Sequence, residues 1–457
     1  MVNALVRRIR PALRRVALAV VLGGTALPVM AETLGDTMVA AYRHSALLDQ
    51  QRAVLRAADE DVATAMAALR PVLDWTLQHT FIEREGMETT STVAELTASM
   101  TLYDFGRSQA AIDSAKETVL ATRYALIGVE QNILLTSVQA FMSVRAATEQ
   151  VELQQNSVRL LGQELQAAQD RFDVGEITVT DVAQANAQLA ASRASLSAAE
   201  GDLQVAYEDY AAATGAKPKG LSAPPPLPKL PASLAAAQSS AQKSHPSILQ
   251  ASRMVAASEL GVAAAVAERN PTISGTLSGQ ANKYGDSQMA LGLQMSQTIY
   301  SGGRLSSFHR RAMAARDQAR ATLLNVSRQV DQAVGIAWAN IDVAGAQIRA
   351  IDQQISAAQQ AYDGVREEAT LGARTTLDVL DAEQSLLEAR ADKITAEANL
   401  QLAHYQLLSA MGVLTVKDLN LGIPTYDPSA YYNAVRDAPY TSRQGESLDR
   451  VLRSLNR

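Results

Sequence analysis

Two stretches of this chain repeat one another at a fixed offset. Gly106-Arg107 recurs as Gly303-Arg304. Gly175, Thr178 and Asp181 recur as Gly372, Thr375 and Asp378. Gly215, closing Ala213-Thr214-Gly215, recurs as Gly412, closing Ala410-Met411-Gly412. Every pair is 197 residues apart, so no insertion or deletion separates the copies between Gly106 and Gly215. A long duplicated unit with fixed spacing implies an object with internal symmetry. At roughly 150 residues per domain, length alone suggests about three domains. The repeat argues instead for two elongated halves, neither able to bury a core alone, that fold together.

Each half has the same order of elements. The first repeat, 32–213, and the second, 232–412, each read as helix, two strands, a very long helix, a sharp loop and a helix. Thr33 to Leu69 is Ala-rich with apolar steps of three and four, and stops at Arg70-Pro71 because the residue before proline is pushed from helical angles. Pro231 to Glu268 is its counterpart, stopping at Asn270-Pro271. The period then changes to two, which predicts a hairpin over 72–103 and another over 272–300. Leu73, Trp75, Leu77 and Phe81 alternate with Asp74, Thr76, Gln78 and Thr80. Met289, Leu291, Leu293, Met295 and Ile299 alternate with Ala290, Gly292, Gln294, Ser296 and Thr298.

Such strands suit a half-buried sheet in a soluble domain. They also have the length of about 9–11 residues that a tilted strand needs to cross a bilayer, and small, hydroxyl-rich polar faces like a water-filled barrel interior. Four strands cannot close a barrel, and an open edge in lipid leaves backbone groups unpaired. Strands that cross a membrane would therefore require several chains to share one barrel.

Long helices without interior proline are predicted from about Gly106 to Arg171 and from about Gly303 to Leu371. At about 1.5 Å per residue each is on the order of 100 Å long and must project from the sheet. Val326, Val330, Ala337, Ile341, Ala344, Ile348, Ile351 and Ile355 mark a coiled-coil-type seam along the second. Tip loops are expected at 172–178 and 371–375. The join at 214–231 holds six of the fourteen prolines and reads as an extended linker. The polar tail, 413–457, with Tyr426, Tyr431, Tyr432 and Tyr440, is expected to strap partly onto the helices and then to be disordered near its end.

Residues 1–31 read as a secretory signal. Five arginines precede the apolar run Val16 to Leu22, and Val29-Met30-Ala31 offers a cleavage site. An uncleaved inner-membrane anchor is the alternative, opposed by the short run and by Gly23, Gly24 and Pro28. Removing those five arginines from 41 basic residues leaves 36 against 47 acidic ones, a formal charge of −11. That balance does not fit a nucleic-acid binder. With no cysteine, disulfides, thiol catalysis, thiolate metal sites and a lipid-modified N-terminal cysteine are excluded. His44, His79, His245, His309 and His404 lack metal-ligand spacing. No phosphate loop, hydrolase elbow or dinucleotide fingerprint is present, so neither an enzyme nor a cofactor is expected.

Gly372-Ala373-Arg374-Thr375-Thr376-Leu377-Asp378-Val379-Leu380-Asp381-Ala382 resembles the second helix-loop-helix tip of the TolC outer-membrane channel family. Val174-Gly175-Glu176-Ile177-Thr178-Val179-Thr180-Asp181-Val182 resembles the first tip, and Tyr300-Ser301-Gly302-Gly303-Arg304 the strand-to-helix junction. Tyr426-Asp427-Pro428 is similar to the tail of alphaproteobacterial members. The resemblance runs in order over essentially the whole chain after the signal. It implies an α+β, mostly α protomer, three of which give four strands each to one outer-membrane barrel, with long helices continuing it as a periplasmic tunnel. It implies a homotrimer in outer-membrane lipid, serving a periplasmic adaptor and an inner-membrane transporter of the RND or ABC type. The expected function is a passive exit duct for tripartite efflux or type I secretion. A trimeric coiled-coil adhesin or a soluble periplasmic scaffold is the alternative.

The tips carry the candidate functional residues. Thr178-Val179-Thr180-Asp181 and Thr375-Thr376-Leu377-Asp378 both fit a capping box, which alone accounts for Asp181 and Asp378. Asp381 has Gln184 as its repeat partner, so the shared geometry requires no acid there. Asp378 and Asp381, three apart on one helical face, would form a ring of charge under threefold symmetry, the arrangement by which channels favour cations. The resemblance places entrance aspartates at these two positions. It also makes Arg374 a gate latch toward a neighbouring tip around Thr180 and Asp181. Where the best-known member of the family has a latch tyrosine, five residues before the arginine, this chain has Ala369.

Overall fold

The computed structural model describes residues 31–435 and residue 450; the expected signal at 1–31, except its last residue, and most of the tail beyond 435 lie outside the described residues. In chain order the elements are α1 (Leu34–His44), α2 (Ala46–Ala67), β1 (Val72–Arg84), β2 (Met87–Tyr103), α3 (Arg107–Asp173) and α4 (Val179–Thr214). The second half repeats them as α5 (Leu234–Ser244), α6 (Pro246–Ala267), β3 (Thr272–Asn282), β4 (Ser287–Ser296), α7 (Arg304–Thr370) and α8 (Thr376–Ala410), followed by α9 (Pro428–Val435). The long helices α3 and α7 have 67 residues each, on the order of 100 Å. Both start beside a side-chain cap placed 197 residues apart. Asp104 accepts from the Ser108 N–H at 2.8 Å, and Ser301 Oγ accepts from the Leu305 N–H at 3.3 Å.

Three boundaries differ from the sequence reading. The single helix expected over 33–69 is broken at Ser45, whose extended backbone (φ −68°, ψ 110°) lets its side chain accept from the Leu48 N–H and start α2. Its counterpart is broken at His245, because Pro246 pushes the residue before it to an extended angle and then occupies the first turn of α6. The second hairpin ends at Ser296, short of the expected 300, and the Gln297 side chain instead donates to the Arg269 carbonyl.

The four strands form one antiparallel sheet in the order β1-β2-β3-β4, so β1 and β4 are its open edges. Register turns the period-two pattern into continuous rows. Leu73, Ala98, Leu277 and Leu291 lie side by side across all four strands, and Trp75, Leu96, Gly279 and Met289 make the next row. On the other face run Asp74, Thr97, Ser278 and Ala290, then Thr76, Glu95, Gln280 and Gln288. The apolar rows remain uncovered by this chain: Leu291 is 85% exposed and Trp75 68%.

The core lies among the helices and draws on both halves. Leu48, Leu55, Val62, Leu134, Val138 and Phe141 of the first half pack in one cluster with Tyr405 and Leu408 of the second and Leu414 and Val416 of the tail. A smaller cluster joins α5 and α7 to Leu407 and Met411. The close of each repeat docks on a helix break. A Cβ added to Gly215 would meet the His44 ring at 2.6 Å, and one added to Gly412 would meet the His245 Cα at 2.7 Å. Both glycines also hold positive φ, 86° and 78°. Beyond the second repeat the chain returns across α2 and α3: Tyr426 stacks with Arg52 of α2, Tyr432 with Arg123 of α3, and the Tyr431 hydroxyl donates to Glu60 of α2 at 2.8 Å.

Candidate functional site

At the end of the long helices away from the sheet, α3 turns into α4 and α7 into α8 through loops of the same geometry. The N–H groups of Gly175 and Glu176 bond back to the carbonyls of Phe172 and Arg171, and those of Gly372 and Ala373 to Ala369 and Glu368. The next helix starts on a threonine. Asp181 accepts from the Thr178 N–H (2.9 Å) and hydroxyl (2.7 Å). Asp378 accepts from the Thr375 N–H (2.9 Å) and hydroxyl (2.9 Å), while its own N–H donates to the Thr375 hydroxyl (3.3 Å). The capping boxes read from the sequence are therefore built. Each carboxylate uses only Oδ2, leaving Oδ1 without a bond to its cap.

These bonds hold the charged form. The Thr178 hydroxyl, then its N–H, lowers the pKa of Asp181. The Thr375 N–H, then its hydroxyl, lowers that of Asp378, helped by the Arg374 charge. Asp381 is exposed one turn further on, and among the described residues its carboxylate has no hydrogen bond or ion pair. The two acids on one face thus differ: one is tied to the backbone, the other points a free charge at solvent.

Arg374 is exposed in the second loop and bonds to Glu368 of α7 at 2.8 Å, the contact that raises its pKa. Within the chain it does not reach Thr180 or Asp181. The two arms, α3–α4 and α7–α8, touch instead through Gln188, which donates to Gln384 at 3.2 Å, and through Arg366 and Glu164, 3.9 Å apart. Leu380 of α8 also packs against Leu161 and Leu189 of the first arm, and sequence reasoning passed over the buried acid beside it. Glu383 is buried on α8 in the stripe that includes Val379, Leu380 and Leu386. Glu383 keeps helical spacing from Val379 and Leu380, but nothing local in the sequence marks that face of α8 as the buried one.

An amphipathic sheet with open edges, carried on helices of about 100 Å that end in capped and charged tips, is the architecture of a channel subunit rather than of a closed globule. The comparisons agree. The chain belongs to the outer membrane efflux protein family, matching it twice, over residues 39–216 and 237–413, once per repeat. It is 35% identical over 434 residues to the outer membrane efflux protein BepC of Brucella suis biovar 1 (strain 1330), covering 92% of this chain and 95% of that one. It is 26% identical over 419 residues to the outer membrane protein TolC of Escherichia coli (strain K12), covering 86% and 85%. The solved structure of the outer membrane protein VceC from Vibrio cholerae shares the fold with a TM-score of 0.73 at 20% identity, over 83% of this chain and 96% of that one. This protein is accordingly an outer-membrane channel component, with its helical mass in the periplasm.

Proposed function

We infer that three copies of this chain close their sheets into one barrel and form a gated exit duct across the outer membrane and periplasm. The observation that carries this is the sheet. Its apolar rows run unbroken from β1 to β4, its opposite face is polar, and both its edges are open. In lipid that combination is stable only if neighbouring chains pair the edges. The helices support the same reading: 18 residues of α3 are buried within the chain but only seven of α7, which leaves α7 a face for a neighbour. A cleavable segment at 1–31 fits export.

The tips form the periplasmic entrance, where a periplasmic adaptor and an inner-membrane transporter of the RND or ABC type dock. Asp378 and Asp381, tripled, make a ring that favours cations. Arg374 latches the entrance by reaching the free Oδ1 of Asp181, near Thr180, on a neighbouring tip. The second tip carries the gate because the repeats differ there: Asp381 corresponds to Gln184 and Arg374 to Ile177. The duct is passive, and the transporter selects whether efflux substrates or secreted polypeptides pass.

Fractionation and recording test this reading. Heat-modifiable oligomers in outer-membrane fractions that conduct ions in planar bilayers are expected. Recovery only from the soluble periplasm would rule out a duct and favour a helical scaffold.

A further inference from the structure

The seam between the two arms buries a carboxyl group. On α8, Leu380 packs into the first arm with Leu161, Ala168, Ala185 and Leu189, whereas Val379 and Leu386 pack against Tyr362 and Ala369 of α7. Glu383 lies between these positions, where α8 meets its own arm and the other arm at once. It is 6% exposed in the isolated chain, so no neighbouring copy is needed to bury it. Among the described residues, neither of its carboxylate oxygens has a hydrogen-bond partner.

The groups around it come from every packed element. α3 brings Glu164, α7 brings Arg366 and Tyr362, and α4 brings only the neutral Gln188, bonded to the adjacent Gln384. Arg366 pairs with Glu164 at 3.9 Å, and no ion pair joins it to Glu383. Beside this pair a cavity of about 180 Å³ opens between α3 and α7, lined by Glu164, Arg171, Arg366 and Ala369 among others, so the arms are not close-packed there. Burial foremost, then the Glu164 charge, pushes the Glu383 carboxyl up to about 7 despite Arg366.

We propose that Glu383 is a proton-responsive brake on the entrance: neutral, it packs into the seam and holds the arms together; ionised, it favours their parting. This rests on the gated-duct reading above. Parting the arms returns Glu383 to water, where its carboxyl regains its ordinary value of 4.5. The closed seam therefore holds the proton more tightly than the open one, and closure is fully favoured at low pH. As pH rises from 4.5 to about 7 that advantage is lost, by up to about tenfold per pH unit in each copy, and then levels off.

The test uses the full-length protein in planar bilayers, with open probability read between pH 5.5 and 8.5. Wild type should open at least about tenfold more often at pH 7.5 than at 5.5. Glu383→Gln, which cannot ionise, should stay at the low-pH level throughout. Glu164→Gln should keep a response of smaller span, because one cause of the raised carboxyl value is gone. If Glu383→Gln keeps the wild-type pH response, the brake is refuted while the duct stands. If wild type conducts at no pH, the duct reading fails, and the brake with it.

Discussion

Asp378 and Asp381 stand three residues apart on one helix face, yet only Asp378 is engaged by its own backbone. Their replacements should therefore separate. Asp381→Asn should lower cation preference, read as a shift in reversal potential under a salt gradient, and leave the tip as stable as before. Asp378→Asn should lower preference and also loosen the first turn of α8 by about 0.3–1 kcal/mol, read by hydrogen exchange there. Unchanged selectivity in both would leave Asp378 as a helix cap only and Asp381 with no role at the entrance. Arg374→Ser should raise resting conductance, since it removes the charge proposed to reach a neighbouring tip, which within the chain bonds to Glu368. An unchanged conductance would leave the latch without support. Asp378 was legible because a capping box is local: residue type and spacing define it. Glu383 was not, because α8 is charged on several faces, and which face is buried depends on packing against α3 and α4, distant in sequence.

At the scale of elements, the joints between helices do more than the helices themselves. Gly215 and Gly412 hold equivalent positions, but their neighbours differ in how far they can yield. Alanine at Gly215 meets the His44 ring, which can rotate away; alanine at Gly412 meets the His245 backbone and Pro246, which cannot. Both substitutions carry the left-handed penalty of about 1–2 kcal/mol, and Gly412→Ala adds overpacking of roughly 1–3 kcal/mol. Gly412→Ala should lower the temperature at which the heat-modifiable complex dissociates by clearly more than Gly215→Ala; equal losses would show that backbone angle alone decides. The break before Pro246 was visible in the sequence, since proline restricts its predecessor. The break at Ser45 was hidden in an Ala-rich run where nothing local forbids helix; the Ser45 cap on Leu48 and the docking of His44 on Gly215 mark it. Strand positions were legible because alternation is strict, whereas the end of β4 depended on Gln297 reaching Arg269.

For the whole molecule, the sheet's two faces set the environment. Leu291→Lys places a charge on the apolar face and should cost about 2–4 kcal/mol at mid-bilayer depth, seen as poor assembly into outer-membrane fractions. Thr97→Lys lies in a polar row and should assemble normally. The duplication made the overall plan legible, because two equal halves with no separate cores must share one, as Tyr405 and Leu408 do with Phe141 and Leu134. The number of chains is the one quantity that neither the repeat nor a single subunit contains. Edge pairing requires more than one chain, and the resemblance to the family implies three. Native mass spectrometry of the intact complex extracted from outer membranes tests it most directly. A mass of three chains is predicted; a complex of one or two chains would contradict the shared barrel and the entrance built on it.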